Sequence, residues 1–301
     1  MNSTEIEWCD FTWNPLIGCS KTSAGCQNCY AETMALRLAN MWEKKQQKGT
    51  QSYTKVVDKN GWNGNIILDR DKLSAPSKRK KHAKIFVGSM TDLFHENTKW
   101  NDVDEVIKVI INNPQHTFMI LTKRPQRMKE YFDDRYELNG DFNGELAEKL
   151  GDGAIPNLWL GVSVENQKEA DERIPLLADT KASVRFLSIE PLLKEVSLFN
   201  FLARYHCCTC KTLSLKHEDK CPKCGNSEAG DMYFSPMVDW VIVGGEKGKG
   251  SRLFKSEWAE KIYDKCIDSD TSFFFKQRGS NHDFSEELEF EKVKEFPNER
   301  S

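Results

Sequence analysis

Cys19, Cys26 and Cys29 lie in one short run, Gly18-Cys-Ser-Lys-Thr-Ser-Ala-Gly-Cys-Gln-Asn-Cys-Tyr30, with six residues between the first pair and two between the second. Three thiolates on one loop can hold three corners of a 4Fe-4S cube, whereas a complete protein cage uses four. One iron would then keep an open position, and an open position is where a metal site does chemistry. With a fourth ligand, a distant His or Cys9, the same thiols would make a zinc site instead. Gly18 and Gly25 let the backbone wrap closely around a bulky group.

A second group, Cys207-x2-Cys210 and Cys221-x2-Cys224-Gly225, forms two knuckles ten residues apart. Cys207, Cys210, Cys221 and Cys224 match a closed tetrahedral Zn2+ site of the zinc-ribbon kind, with a second iron–sulfur cluster as the rival. Cys208 is a spare thiol beside them. Residues 198–236 carry few core side chains, so the metal would supply much of their folding energy.

These two groups take seven of the ten cysteines, as expected for metal binding in a reducing compartment rather than for disulfides. Cys9 and Cys266 read as small buried core residues. The N-terminus has no basic stretch followed by an apolar one, and no apolar run approaches the ~18 residues of a membrane helix, so a cytoplasmic protein with no membrane association is expected. The chain has 301 residues, 39% hydrophobic and 30% charged, with 17 Phe and 8 Trp, which is ample core material for a globular fold. Its net charge of −3 carries no global basic field, so nucleic acid could be held only by a local patch. Lys78-Arg-Lys-Lys-His82 is the only dense one. Its ordinary explanation is a solvated face, and its functional one a contact with phosphates through Lys78, Arg79, Lys80 and Lys81.

Seven apolar, β-branched runs could position the cysteine loop, at 10–14, 85–88, 117–122, 158–164, 184–189, 238–244 and 272–277. Several lack alternation, as strands buried on both faces of a parallel sheet do. Helical patterns lie between them at 31–45, 101–112, 126–132, 167–178 and 256–267. Met34, Leu38 and Trp42 mark the buried face of the first, and Ser256 reads as the N-cap of the last. This rhythm predicts an α/β fold, a partial or complete (βα)6-7 barrel with parallel strands. The barrel would occupy 1–197 and 237–280. A zinc-ribbon-like subdomain would be inserted at 198–236, and a charged tail would follow at 281–301, where Leu288, Phe290, Val293 and Phe296 could dock.

A loop after the first strand of a barrel stands at the mouth where active sites are assembled. Polar groups at the other strand ends are the natural cofactor contacts: Ser89 and Asp92, Lys123 and Arg124, Ser163 and Glu165, Ser188 and Glu190, and Glu246. Asp92 could accept from an amine, and a cation at 123–124 suits a carboxylate. Ser163 and Glu165 could hold hydroxyl groups. Asp92 and Ser163 read equally well as helix caps. Glu190, before Pro191, needs a partner if buried.

Cys-x6-Cys-x2-Cys after a first strand resembles the radical S-adenosylmethionine enzymes, with a first gap longer than their commonest one. The wider chain resembles the phage-encoded three-Cys-motif proteins, whose substrate is undefined. That likeness rests on Trp13-Asn-Pro15, the cysteine loop with Tyr30-Ala31, Gly88-Ser-Met-Thr-Asp-Leu-Phe-His95, Leu121-Thr-Lys-Arg-Pro125, Leu160-Gly-Val-Ser-Val-Glu165, Leu187-Ser-Ile-Glu-Pro191, Val243-Gly-Gly-Glu246 and Phe273-Phe-Phe-Lys-Gln277. It implies a 4Fe-4S cluster that binds the amine and carboxylate of S-adenosyl-L-methionine. An electron would split the sulfonium and release a 5′-deoxyadenosyl radical, which takes hydrogen from a substrate. It also implies an electron donor such as flavodoxin or ferredoxin. Modification or repair of nucleic acid or a nucleotide is the first expectation for the substrate. The same chemistry on a protein or small metabolite is the alternative, as is a non-catalytic metal-bound nucleic-acid-binding protein.

The two cysteine groups predict separable metals. Cys221→Ser should lose about one zinc per chain while iron uptake stays at the wild-type level, as read by elemental analysis.

Overall fold

The computed structural model describes residues 1–137, 154–202, 204–207, 213–214, 221, 224–225, 232–235 and 237–297. They belong to two compact units, one of Met1–Ser163 with Asp179–Ser183, the other of Val164–Ala178 with Val184–Ser301. The class is mixed α/β with mostly parallel strands.

In the first unit the strands β1 (Asn2–Ser3), β2 (Phe11–Trp13), β3 (Lys84–Val87), β4 (Thr117–Thr122) and β5 (Leu158–Ser163) lie side by side in that order. Only β1 and β2 run antiparallel. All six residues of β5 are buried, as an apolar run without alternation requires. Three helices belong to this unit: α1 (Tyr30–Lys45) after the cysteine loop, α2 (Trp100–Ile111) between β3 and β4, and α3 (Pro125–Glu137) after β4. On α2 the expected stripe is buried at Val103, Val106, Ile107 and Ile110, with Ile111 half-exposed. Helix α3 starts on Pro125, whose missing N–H costs nothing in a first turn.

Helix α1 corrects one expectation. Its buried residues are Ala31, Ala35 and Ala39, while Met34 is exposed and Leu38 and Trp42 are half-buried. The alanine face lets α1 come close to a collar formed by residues 51–68, where it packs with Tyr53, Val56 and Val57. That collar comprises a short 3-10 turn (Gln51–Lys55), a ribbon pairing Val57–Asp58 with Gly61–Trp62, and Ile67–Leu68 paired with Leu16–Ile17.

In the second unit β6 (Val184–Ile189), β7 (Trp240–Gly244) and β8 (Ser272–Gln277) are adjacent and parallel. Helices α4 (Gln167–Ala178) and α5 (Ser256–Asp268) belong here too. Ser256 is the first residue of α5 rather than its cap. Lys255 holds the cap position, and the Ser256 N–H donates to Asp283 Oδ1 at 2.9 Å. Residues of the expected tail dock against β8: the Phe275 N–H donates to the Val293 carbonyl, and the Glu295 N–H to that of Phe273. Phe290 is buried against Phe275, and Phe296 stacks on Trp240. Arg204–Cys207, Leu213–Ser214 and Met232–Ser235 form a small antiparallel sheet within 198–236. Cys9 and Cys266 are buried. Among the described residues no helix is long and apolar enough to cross a membrane.

Trp240 is fully buried among Phe186, Phe274 and Phe296, and its Nε1 donates to the Glu295 carbonyl at 2.8 Å. Trp240→Ala should therefore destabilise the protein by about 3–5 kcal/mol. The check is the midpoint of urea unfolding, with the far-UV spectrum at zero denaturant unchanged.

Candidate functional site

The cysteine loop leaves the carboxyl end of β2 and returns at α1. Asn14 anchors its root, since its Nδ2 donates to Ser89 Oγ at 3.0 Å and its Oδ1 accepts from the Met90 N–H at 3.1 Å. Ser89 is thus held just past β3, and the Tyr30 hydroxyl donates to its carbonyl. Gly18 has φ +106°, and a Cβ there would lie 2.0 Å from the Asn65 carbonyl oxygen. Only glycine fits so close an approach in that conformation. The Thr91 hydroxyl donates to the Gly18 carbonyl at 2.7 Å, and the Gly64 N–H to the Cys19 carbonyl at 3.1 Å. Glu32 of α1 closes the far side, accepting from the Trp62 N–H and pairing with Lys21 at 2.8 Å.

Asp92, expected to meet a cofactor amine, is buried and already satisfied. Its Oδ1 accepts from the Phe94 N–H and the Thr122 hydroxyl, and its Oδ2 from the Lys123 N–H and Arg124 Nη1. Arg124 donates further to Glu96 through Nε and to Ser20 Oγ through Nη2, at 2.5 and 2.9 Å. The Asn97 N–H donates to His95 Nδ1, which leaves the ring proton on Nε2, 2.8 Å from Ser20 Oγ. Burial and then the Arg124 charge lower the His95 pKa, so the ring is neutral and its 3.5 Å contact with Glu96 is dipolar. Burial opposes ionisation of Glu96, but the hydrogen bond and charge of Arg124 together with a backbone hydrogen bond outweigh it and hold the carboxyl at about 2. Lys123 Nζ donates to Ser163 Oγ at 3.0 Å, so these two expected contacts do meet.

The thiols sense this network differently. Burial, then the Asp92 charge, pushes Cys19 up to about 12 against the pull of Arg124. Burial also works against the Cys26 thiolate, but the Lys123 ammonium and hydrogen bonding at Thr22 and Ser23 lower its pKa. Cys29 caps α1, so negative charge bound there meets the positive end of the helix. Among the described residues no group of three or more His, Cys, Asp and Glu side chains stands ready as a metal cage. The donor chemistry still fits an iron–sulfur cluster: three free thiols on one loop become soft anionic ligands when they deprotonate. Metal sites of this kind commonly take shape only on binding.

In the second unit each expected carboxylate has a cation. Glu165 is fully buried and pairs with Arg173 at 3.2 Å. Glu190 receives Lys276 Nζ at 2.7 and 3.0 Å and Gln277 Nε2 at 3.2 Å. It comes from the end of β6 and Lys276 from β8, so they meet across β7. A Cβ on Gly244 there would lie 3.3 Å from the Glu190 carboxyl carbon. Glu246 accepts from the Arg252 N–H and side chain. Ser188 is buried within β6.

For the second cysteine group, Cys221 is buried and Cys224 exposed, with the Gly225 N–H donating to the Cys221 carbonyl at 2.9 Å. Cys210 and Cys208 lie outside the described residues, as does the Cys207 side chain.

The basic run stands at the amino ends of β2 and β3, whereas the cysteine loop leaves β2 at its carboxyl end. Arg79 stacks over Phe11 at 4.4 Å, and with Lys81 and His82 it lines a cleft of about 690 Å³ whose other wall carries Glu5, Glu7 and Asp10. Lys78, Lys80 and Lys81 are exposed.

Sequence reasoning missed Ser20, Glu32, Gly64, Asn65 and Glu96. Asn60-Gly-Trp-Asn-Gly64 has the composition of a turn, but nothing in it says that the collar closes on the cysteine loop.

Fold and site together define a mixed α/β protein with a thiol-bearing loop at the end of a parallel strand. The chain belongs to the DUF5131 family of proteins of unknown function, which it matches over residues 3–297. No curated protein and no solved structure matches it.

Glu96 has its carboxyl held below the ordinary value, so it contributes stability that is present above the ordinary carboxylate range and is lost as the pH falls toward about 2. In thermal melts, Glu96→Gln should be less stable than wild type at pH ~6, and the gap should narrow as the pH falls to ~3. A gap independent of pH would contradict the assigned pair.

Proposed function

We propose that this chain is a radical S-adenosylmethionine enzyme whose 4Fe-4S cluster is held by Cys19, Cys26 and Cys29. The observation that carries the reading is the placement of three free thiols on one strand-end loop, with Arg124 acting on Cys19 and Lys123 on Cys26. When bound, the cluster and S-adenosyl-L-methionine would supply a 5′-deoxyadenosyl radical by one-electron cleavage of the sulfonium. The chain's part is to hold and orient. Lys123, placed by Ser163, offers a cation to a carboxylate near Cys26. The Asn14, Thr91 and Gly64 contacts fix the loop on which the cluster would sit. A partial or complete barrel and a zinc ribbon built on Cys207, Cys210, Cys221 and Cys224 belong to the same proposal, as does an electron donor such as flavodoxin or ferredoxin.

The substrate we propose is nucleic acid or a nucleotide, on the strength of the basic run and the zinc ribbon. The placement of the basic run favours a second reading. Lys78, Arg79, Lys80 and Lys81 sit at the opposite strand ends from the loop, so the same chemistry on a protein or small metabolite needs no phosphate contact there.

After anaerobic reconstitution with iron and sulfide, the protein should show broad near-visible absorption. Reduced with dithionite in the presence of S-adenosyl-L-methionine, it should release 5′-deoxyadenosine. Cys26→Ala should lose both signals. Absence of a cluster in the wild type, or of 5′-deoxyadenosine from the loaded protein, overturns the proposal. Strongly salt-dependent binding of DNA or RNA, weakened by substituting Lys80 and Lys81, then separates the two substrate readings.

A further inference from the structure

We infer that Arg124 is a positioning residue that fixes the cysteine loop to the strand ends, leaving Lys123 as the cation that meets a ligand at the thiols. The inference deepens the proposed function by dividing two adjacent cations between two tasks. Its first half stands without any cluster.

A guanidinium has five N–H donors. Arg124 spends four of them inside the protein: Nε on Glu96, Nη1 on Asp92, and Nη2 on both the hydroxyl and the carbonyl of Ser20. Bidentate capture of a ligand carboxylate needs two parallel N–H groups, and Arg124 has only one left. Asp92 cannot release it cheaply. The two side chains are only 8% and 10% exposed, and separating them would leave a charge without compensation.

The opposite end of the guanidinium explains what this rigidity serves. Ser20 follows Cys19 directly. Its hydroxyl accepts from Arg124 and His95 and donates to Glu96 at 3.1 Å, so all its hydrogen-bonding capacity is taken. Its carbonyl accepts from Arg124 and from the Cys19 thiol. A continuous chain of hydrogen bonds therefore runs from the end of β4 through Asp92, Arg124 and Ser20 to Cys19. Lys123 points elsewhere: its backbone N–H joins Asp92, while its ammonium reaches Ser163 on the neighbouring strand end.

The test has two readouts. In metal-free protein, amide hydrogen exchange across residues 19–23, read by peptide mass spectrometry, should quicken roughly tenfold in Arg124→Ala and in Ser20→Ala. Ser20→Thr, which keeps the hydroxyl, should restore the wild-type rate, and Lys123→Gln should leave it unchanged. After reconstitution, Arg124→Ala and Ser20→Ala should bind less iron and sulfide. Lys123→Gln should load normally but lose the change that S-adenosyl-L-methionine makes in the electron paramagnetic resonance spectrum of the reduced cluster. A wild-type exchange rate across residues 19–23 in both Arg124→Ala and Ser20→Ala overturns the inference, whether or not any protein takes up iron. If Arg124→Ala loads normally and itself loses the S-adenosyl-L-methionine response, Arg124 is a ligand contact and the division of tasks is wrong. A wild-type protein that takes up no iron sinks the proposed function alone, because the exchange result still decides whether Arg124 fixes the loop.

Discussion

The first unit depends on one buried carboxylate. Asp92 stands beyond β3 and gathers donors from its own turn, from the Thr122 hydroxyl, from the Lys123 backbone and from the Arg124 side chain. A carboxylate out of water is tolerable only when its oxygens are filled, and four donors fill them. The same four contacts join two adjacent strand ends and aim a guanidinium at the cysteine loop. Burial opposes ionisation of both thiols, and the charges placed in this way act on them unequally: Asp92 opposes it further in Cys19, while Lys123 favours it in Cys26. A thiol loop with built-in asymmetry of this kind suits ligands that deprotonate as a metal arrives.

The second unit solves the same electrostatic problem three times with different partners. Glu165 takes an arginine from its own following helix, Glu246 takes one from a neighbouring loop, and Glu190 takes a lysine from two strands away. The last pairing is possible because β7 ends in glycine at 244, which leaves room above the strand for two side chains to meet. Each pair is neutral as a unit. A polar ligand approaching any of them would exchange hydrogen bonds within an existing pair rather than satisfy a lone charge, which makes these groups better suited to orientation than to strong charge capture.

The strands were legible because burial on both faces demands continuous apolar runs, and little else in the chain has them. Helix α2 was legible because a stripe of Val and Ile at helical spacing has only one use. Helix α1 was misread for a physical reason: large apolar residues signal a buried face only where the partner surface is distant enough to need them. Here the collar at 51–68 approaches closely, so alanines go inward and Met34 stays exposed. Ser256 was misread because a capping residue and a first-turn residue share the same preference, and only the path of the preceding chain distinguishes them.

Sequence alone determined the parallel α/β rhythm, the grouping of the cysteines and the strand-end location of nearly every polar residue that matters, because these follow from local periodicity and spacing. The partners were decided only in three dimensions. That Arg124 turns to Ser20 and Glu96, that Lys123 turns to Ser163, that Gly18 must clear Asn65 and that the basic run stands at the far strand ends all depend on residues distant in sequence. Hydrogen-bond direction and close backbone approach are properties of the packed chain, and no spacing along it encodes them.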